Sequence, residues 1–201
     1  MSFINNKINI IKTNIYKIIA NNNINKGDII LIEQPIFNES DIISLLYTII
    51  KNKDTIYIKN LYPRTNNFKL LNIKDNPYNP CNVNLLKKIN KYSNNKIKDF
   101  LLSFNINDIY FYYYKILFNA FEMNNNSVIL PIGAMMNHNC KPNIIFNSIN
   151  IKGINYMQFK ALNNIKKDDE LCYSYLRNYN GNNKLNKSLY LLNHYNFTCE
   201  C

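Results

Sequence analysis

The sequence predicts two β-rich parts built of short strands, with an α-helical segment inserted between them. Three observations carry this reading. Short β-branched runs bounded by turn residues occupy residues 8–34. Apolar residues at helical spacing replace them over residues 41–105. Short strand-like runs return from Val128 onward.

In the first part, Ile8-Asn9-Ile10-Ile11, Ile15 to Ile19, and Ile29-Ile30-Leu31-Ile32-Glu33 read as strands. The last two are separated by Asn21-Asn22-Asn23 and Lys26-Gly27-Asp28, which are turn material. Pro35 closes the third run, because proline cannot donate to a sheet ladder. Asp41 is placed to cap a helix through Ile42, Leu45, Leu46, Ile49 and Ile50. Leu85 to Tyr92 and Ile97 to Phe104 read as further helices, and Pro63, Pro77 and Pro80 break the stretch into turns.

A longer helix is expected over 107–123, capped by Asn107 or Asp108. Ile109, Tyr112, Tyr113, Ile116, Leu117, Ala120 and Phe121 would share one face. Asn124-Asn125-Asn126 then reads as a loop. Val128 to Leu130, Ile144 to Phe146, Tyr156 to Ala161 and Glu170 to Tyr175 read as strands, and Leu185 to Tyr195 as a last helix.

Composition limits the function classes. The chain has 201 residues and is 47% hydrophobic, enough for one domain with a core. It has no apolar run of ~20 residues to span a bilayer. Its first residues lack the apolar centre of a secretory signal. An intracellular protein with reduced cysteines, in the nucleus or the cytoplasm, is therefore expected. The net charge of +11 accompanies an abundance of Asn, Lys, Ile, Tyr and Phe and an absence of Trp. Those abundant residues share A/T-rich codons, so the charge is ascribed to compositional bias. No helix clusters Arg or Lys beside base-reading side chains, so direct nucleic-acid binding is not expected.

Three pieces carry chemistry. Asn137-His138-Asn139-Cys140-Lys141-Pro142-Asn143 sets polar donors and acceptors beside a soft metal ligand. A charged turn, Lys166-Lys167-Asp168-Asp169, leads into Glu170-Leu171-Cys172-Tyr173-Ser174-Tyr175. Cys199-Glu200-Cys201 ends the sequence.

In this order the pieces resemble the SET-domain family of protein lysine methyltransferases. Its hallmarks are Asn-His-x-Cys-x-Pro-Asn, a Gly-Glu-Glu-Leu-type turn followed by a Tyr, and a Cys-x-Cys-x-x-Cys post-SET zinc site. The first is matched in full. In the second, Asp168 and Asp169 stand for the Gly and the first Glu. Asn119-Ala120-Phe121 and Tyr195-Asn196-Phe197-Thr198-Cys199-Glu200-Cys201 are similar to the SET-and-MYND branch. The stretch 41–105 holds only Cys81, so a MYND finger is not expected.

The resemblance implies a mainly β SET fold: small sheets, a C-terminal pseudoknot that brings the Asn-His segment beside the terminal Tyr, and a post-SET tail. It divides the chain into 1–40 and 106–176 as the two parts of the SET domain, 41–105 as the helical insertion, and 177–201 as the post-SET segment. The activity implied is transfer of a methyl group from S-adenosylmethionine to a lysine of a histone tail or another protein. Asn14, Ile15, Tyr16, Asn119, Asn137, His138, Tyr175 and Phe197 fall at cofactor-contacting positions. Tyr175 matches the catalytic Tyr, and Phe121 and Tyr195 match walls of the lysine channel. Cys140, Cys199 and Cys201 match three ligands of a structural zinc. The fourth would fall beyond Cys201, so the sequence is expected to be cut there. Where the family's first loop carries Gly-x-Gly, this chain has Ile15 and Lys17. That departure leaves a second reading: a SET-fold protein-interaction scaffold with little or no catalysis. The remaining cysteines, Cys81 and Cys172, read as ordinary, and Tyr113 and Tyr173 as packing.

Overall fold

The structure is a computed structural model that describes residues 3–12, 16–64, 85–176, 184–195 and 197–199. Two compact units emerge. One gathers Met1–Ile36, Leu130–Asn180 and Cys199–Cys201, and the other Phe37–Ile129 and Gly181–Thr198. Asn14, Ile15, Cys81 and Cys201 lie outside the described residues.

In the first unit, β1 (Phe3–Ile4), β4 (Ile29–Glu33), β10 (Ile154–Ala161) and β9 (Ile144–Ile151) form an antiparallel sheet in the order β1-β4-β10-β9. The hairpin joining β9 to β10 turns on Lys152 and Gly153, both at positive φ (52° and 84°). Two such residues give the loop a twist that matches paired strands. β2 (Ile8–Lys12) pairs antiparallel with β3 (Tyr16–Ala20), and β8 (Asn137–His138) pairs parallel with β11 (Cys172–Tyr173). Ile18, Ile30, Leu31, Met136, Phe159 and Leu171 are fully buried between these pieces. The turn before β11 places Asp168 at φ 70°, where its N–H donates to Ala20 O at 2.7 Å. Asp tolerates this left-handed conformation better than most residues, so it can serve where the family has Gly.

β4 ends on a buried carboxylate. Glu33 Oε1 and Oε2 each accept from a backbone N–H, of Ile132 and Gly133, at 2.8 Å. They thereby cap the short 3₁₀ turn Gly133–Met135 that leads into β8. Gly133 fits there because an added Cβ would stand 2.7 Å from a ring carbon of Phe159. Burial pushes the Glu33 carboxyl up to about 7 from 4.5, against the pull of the two N–H bonds.

A carboxyl with a raised folded pKa holds its proton more tightly folded than unfolded. Its contribution to stability is therefore full below about 4.5 and is lost as pH rises through about 7. The loss is at most roughly 3 kcal/mol. Urea melts across that range should show stability falling with pH, and Glu33→Gln should flatten the slope. An unchanged slope in the variant would mean that Glu33 does not titrate there.

In the second unit, β5 (Phe37–Glu39), β7 (Asn126–Ile129) and β6 (Ala120–Met123) form an antiparallel sheet in the order β5-β7-β6. Among the described residues the helices are α1 (Ile42–Lys51), α2 (Ile56–Asn60), α3 (Leu85–Asn90), α4 (Asn95–Leu102), α5 (Ile106–Asn119) and α6 (Lys184–Tyr195). Asp41 caps α1 as expected, its Oδ1 accepting from Ile43 N at 2.8 Å and Ser44 N at 2.9 Å. Ile43, Leu45, Leu46, Ile49 and Ile50 turn inward.

The helix expected over 107–123 is corrected at both ends. Its cap is Asn105, whose Oδ1 accepts from Asn107 N at 2.8 Å, and it stops at Asn119. Ala120 to Met123 pairs with β7 instead, Phe121 opposite Val128. Phe121 and Met123 are buried while Glu122 is exposed, a period of two. Asn124 and Asn125, at φ 54° and 65°, close the hairpin. The inward face of α5 carries Tyr113 and Tyr114 where Tyr112 and Tyr113 were expected.

The expected strand Glu170–Tyr175 is also shorter, ordered as strand only at Cys172–Tyr173, with Tyr175 in the following turn. β8 is only two residues long, so the parallel register ends at His138 and Tyr173.

Candidate active site

The site is built where β8 and β11 run side by side. Their register sets Asn137 opposite Cys172 and His138 opposite Tyr173. Asn137 Nδ2 donates to Glu170 Oε1 at 2.6 Å and to Tyr16 O at 3.1 Å, tying β3, β8 and the approach to β11 together. Glu170 also faces Lys17, whose Nζ is 3.5 Å from Oε2. Asn143 completes the weave: its Nδ2 donates to Glu170 O and its Oδ1 accepts from Cys172 N, both at 2.8 Å. Pro142 places Asn143 just past the turn in which Lys141 N donates to Asn139 Oδ1 at 2.8 Å.

Tyr175 is held from two directions. Its backbone N–H donates to His138 Nδ1 at 3.0 Å, and its hydroxyl donates to Met136 O at 2.9 Å. The ring stands 5.3 Å from that of His138 and 4.9 Å from that of Tyr173. Tyr173 meets Phe146 edge-on at 5.2 Å, the packing role read from sequence. Burial pushes the His138 imidazole down to about 4, so it is neutral near pH 7. Burial, with Glu170 nearby, pushes the Cys172 thiol up to about 12, which keeps it protonated and unreactive.

His138 Nε2 lies 3.3 Å from Cys140 Sγ, and Cys140 Sγ lies 3.6 Å from Cys199 Sγ. The three ligand atoms fall within 4.8 Å of one another. Two thiolates on one tetrahedral zinc, with Zn–S near 2.3 Å, stand roughly 3.8 Å apart, so the sulfur pair fits a shared metal. Cys199 is disulfide-bonded here, where a thiol was expected. Its sulfur is available to a metal only after reduction.

The sequence-derived site residues thus divide. Tyr16, Asn137, His138, Tyr175, Cys140 and Cys199 come together in one unit. Asn119, Phe121, Tyr195 and Phe197 belong to the other. There, Asn119 Nδ2 donates to Lys115 O at 2.8 Å and to Tyr62 O at 2.5 Å. Lys115 Nζ donates to Leu61 O and Pro63 O at 2.6 Å each, so the end of α5 holds the 61–63 segment. Tyr195 lies 6.5 Å from both Phe118 and Phe197, and burial pushes its hydroxyl up to about 12.

Glu33, Glu170 and Asn143 were not singled out from sequence. Asn143 closes the Asn137–Asn143 segment and Glu170 opens the run to Tyr175. Glu33 had one signal, a carboxylate closing an otherwise apolar strand.

The SET domain family matches residues 16–176, and the chain belongs to it. The SET domain-containing protein L678 of Acanthamoeba polyphaga mimivirus is 34% identical over 168 residues, which are 81% of this chain and 60% of that protein. Among solved structures, the SET domain of LSMT bound to MeLysine and AdoHcy is 13% identical with a TM-score of 0.69. The match covers 100% of this chain and 54% of that one. The same domain bound to lysine and AdoHcy gives a TM-score of 0.67 at 13% identity, over 96% and 53% of the two chains. At that identity the likeness concerns the fold. The chain spans 60% of the curated relative and about half of the solved chains it resembles.

Proposed function

We propose that the chain is a protein-lysine N-methyltransferase using S-adenosylmethionine. The observation that carries the reading is the constellation at β8 and β11, where a full Asn-His-x-Cys-x-Pro-Asn segment meets Tyr175. Asn137 fits a polar cofactor group. Its Nδ2 is spent on Glu170 and Tyr16, and its Oδ1 accepts no hydrogen bond among the described residues. An adenine amine is a suitable donor for it. S-adenosylmethionine supplies a methyl on a positively charged sulfur.

The chain's own task is positioning. A lysine amine, with a free pKa of about 10.4, must arrive neutral, and a dry aromatic approach disfavours its charged form. Phe121, Tyr195 and Phe197 are assigned to that approach and to the cofactor by resemblance, as are Asn119, Asn14 and Ile15. The Tyr175 hydroxyl orients the amine without ionising. The substrate is a protein with an exposed lysine, a histone tail or another protein, met in the nucleus or the cytoplasm. Kinship to the SET-and-MYND branch rests on Asn119-Ala120-Phe121 and the Tyr195–Cys201 segment. A structural zinc on Cys140, Cys199 and Cys201 is part of the same reading, with a fourth ligand beyond these three.

One observation favours the scaffold reading. Lys17 stands where the family has a glycine, and its side chain reaches Glu170. A radiolabelled methyl-transfer assay on histones and cell lysate, read out as methyllysine after acid hydrolysis, tests the proposal. Methyllysine above a protein-free control is expected. Cofactor binding without transfer to any substrate would favour the scaffold.

A further inference from the structure

We infer that His138 is a positioning residue that ties the Cys140 sulfur to the backbone of Tyr175, donating a hydrogen bond to that sulfur rather than binding a metal itself. The inference takes from the proposed function only the placement of Tyr175 at the reacting centre.

The backbone N–H of Tyr175 can only donate, and it meets His138 Nδ1 at 3.0 Å. Nδ1 therefore presents a lone pair and carries no proton. A neutral imidazole has one proton, so that proton is on Nε2. Nε2 stands 3.3 Å from Cys140 Sγ, which makes the sulfur its acceptor.

Distance alone would not separate this from metal ligation. A ring nitrogen and a thiolate on one tetrahedral zinc would be roughly 3.5 Å apart, given bonds near 2.0 and 2.3 Å. The Tyr175 bond separates them. A metal on Nε2 would have to expel its proton, leaving either an imidazolate or a proton on Nδ1 that meets the Tyr175 N–H head-on.

The consequence runs along the chain. The Cys140 sulfur anchors the imidazole through Nε2. Whatever fixes that sulfur also fixes the ring, and with it the turn bearing Tyr175. Cys140 Sγ lies 3.6 Å from Cys199 Sγ, so the state of the sulfur pair is coupled to Tyr175 through one imidazole.

The chain contains its own control. It has two histidines. His194 Nδ1 stands 2.9 Å from Tyr190 O. A carbonyl only accepts, so His194 carries its proton on Nδ1, the opposite tautomer.

Long-range proton–nitrogen spectra of the reduced, ¹⁵N-labelled chain at mildly alkaline pH read both rings, with His194→Gln assigning them. The expected result is an Nε2–H tautomer for His138 that persists after one equivalent of zinc ion is added. Cys140→Ala should shift both the His138 Nε2–H and the Tyr175 amide resonances while leaving the His194 ring unchanged. Circular dichroism checks that the variant is folded. If it is not, Cys140→Ser, which keeps an acceptor oxygen on a shorter bond, should give a smaller shift in the same direction. An Nδ1–H tautomer at His138, loss of its Nε2 proton on adding zinc, or an unmoved Tyr175 amide would overturn the inference. None of these readouts needs cofactor or turnover. Failure to bind S-adenosylhomocysteine would therefore sink the proposed function without touching this result.

Discussion

Tyr175→Phe is expected to lower methyl transfer by about 10²-fold or more while leaving the fold and cofactor affinity nearly intact. The substitution removes one oxygen and keeps the ring, so contact with His138 and Tyr173 survives. The hydroxyl donates to Met136 O, and losing that bond should cost about 1 kcal/mol of stability. A hydroxyl that donates one bond retains acceptor lone pairs, and these are assigned to the lysine amine. An interaction made chiefly in the transition state is lost from kcat more than from binding. The check is initial rates of labelled methyl transfer for both proteins at equal folded concentration. Equal rates and products would remove Tyr175 from the chemistry.

Asn137→Ala is expected to reduce S-adenosylmethionine affinity by tens- to a hundred-fold, from a loss of about 2–3 kcal/mol. Two effects add. The amide oxygen assigned to the cofactor disappears. Glu170 also loses its 2.6 Å donor, and the tie from β8 to Tyr16 O is broken, so the site loosens as a whole. Asn139→Ala is the control, because its amide oxygen accepts only the local Lys141 N–H bond among those described for that side chain. Equilibrium dialysis with labelled cofactor should separate the two variants. Equal retention of affinity would move the cofactor away from β8.

Much of the fold was legible because the apolar pattern changes period at the right places. Ile29 to Glu33 and Ile144 to Phe146 read as strands, and they are strands. Asp41 read as a cap, and its carboxylate caps α1. Ala120 and Phe121 misled because they also continue the helical spacing of α5. Only pairing with β7, a contact between distant residues, ends the helix at Asn119. Tyr175 was read onto a strand for a similar reason: the run from Glu170 is apolar enough, but β8 offers only two residues to pair with.

The site was legible where it is local in sequence. The Asn137–Asn143 segment declared itself. The partners that hold it, Glu170 for Asn137 and Glu33 for the turn before it, come from 33 and about a hundred residues away. No spacing rule connects them. Their roles follow from burial, since an interior amide or N–H must find an acceptor somewhere.

The measurement that bears most directly on the central claim is calorimetric titration of the folded, reduced chain with S-adenosylhomocysteine, the demethylated product. It asks whether the cofactor site exists without needing to know the substrate. The account predicts saturable one-to-one binding that weakens in Asn137→Ala. A folded chain that shows no binding heat, and no competition against labelled S-adenosylmethionine, would contradict the account.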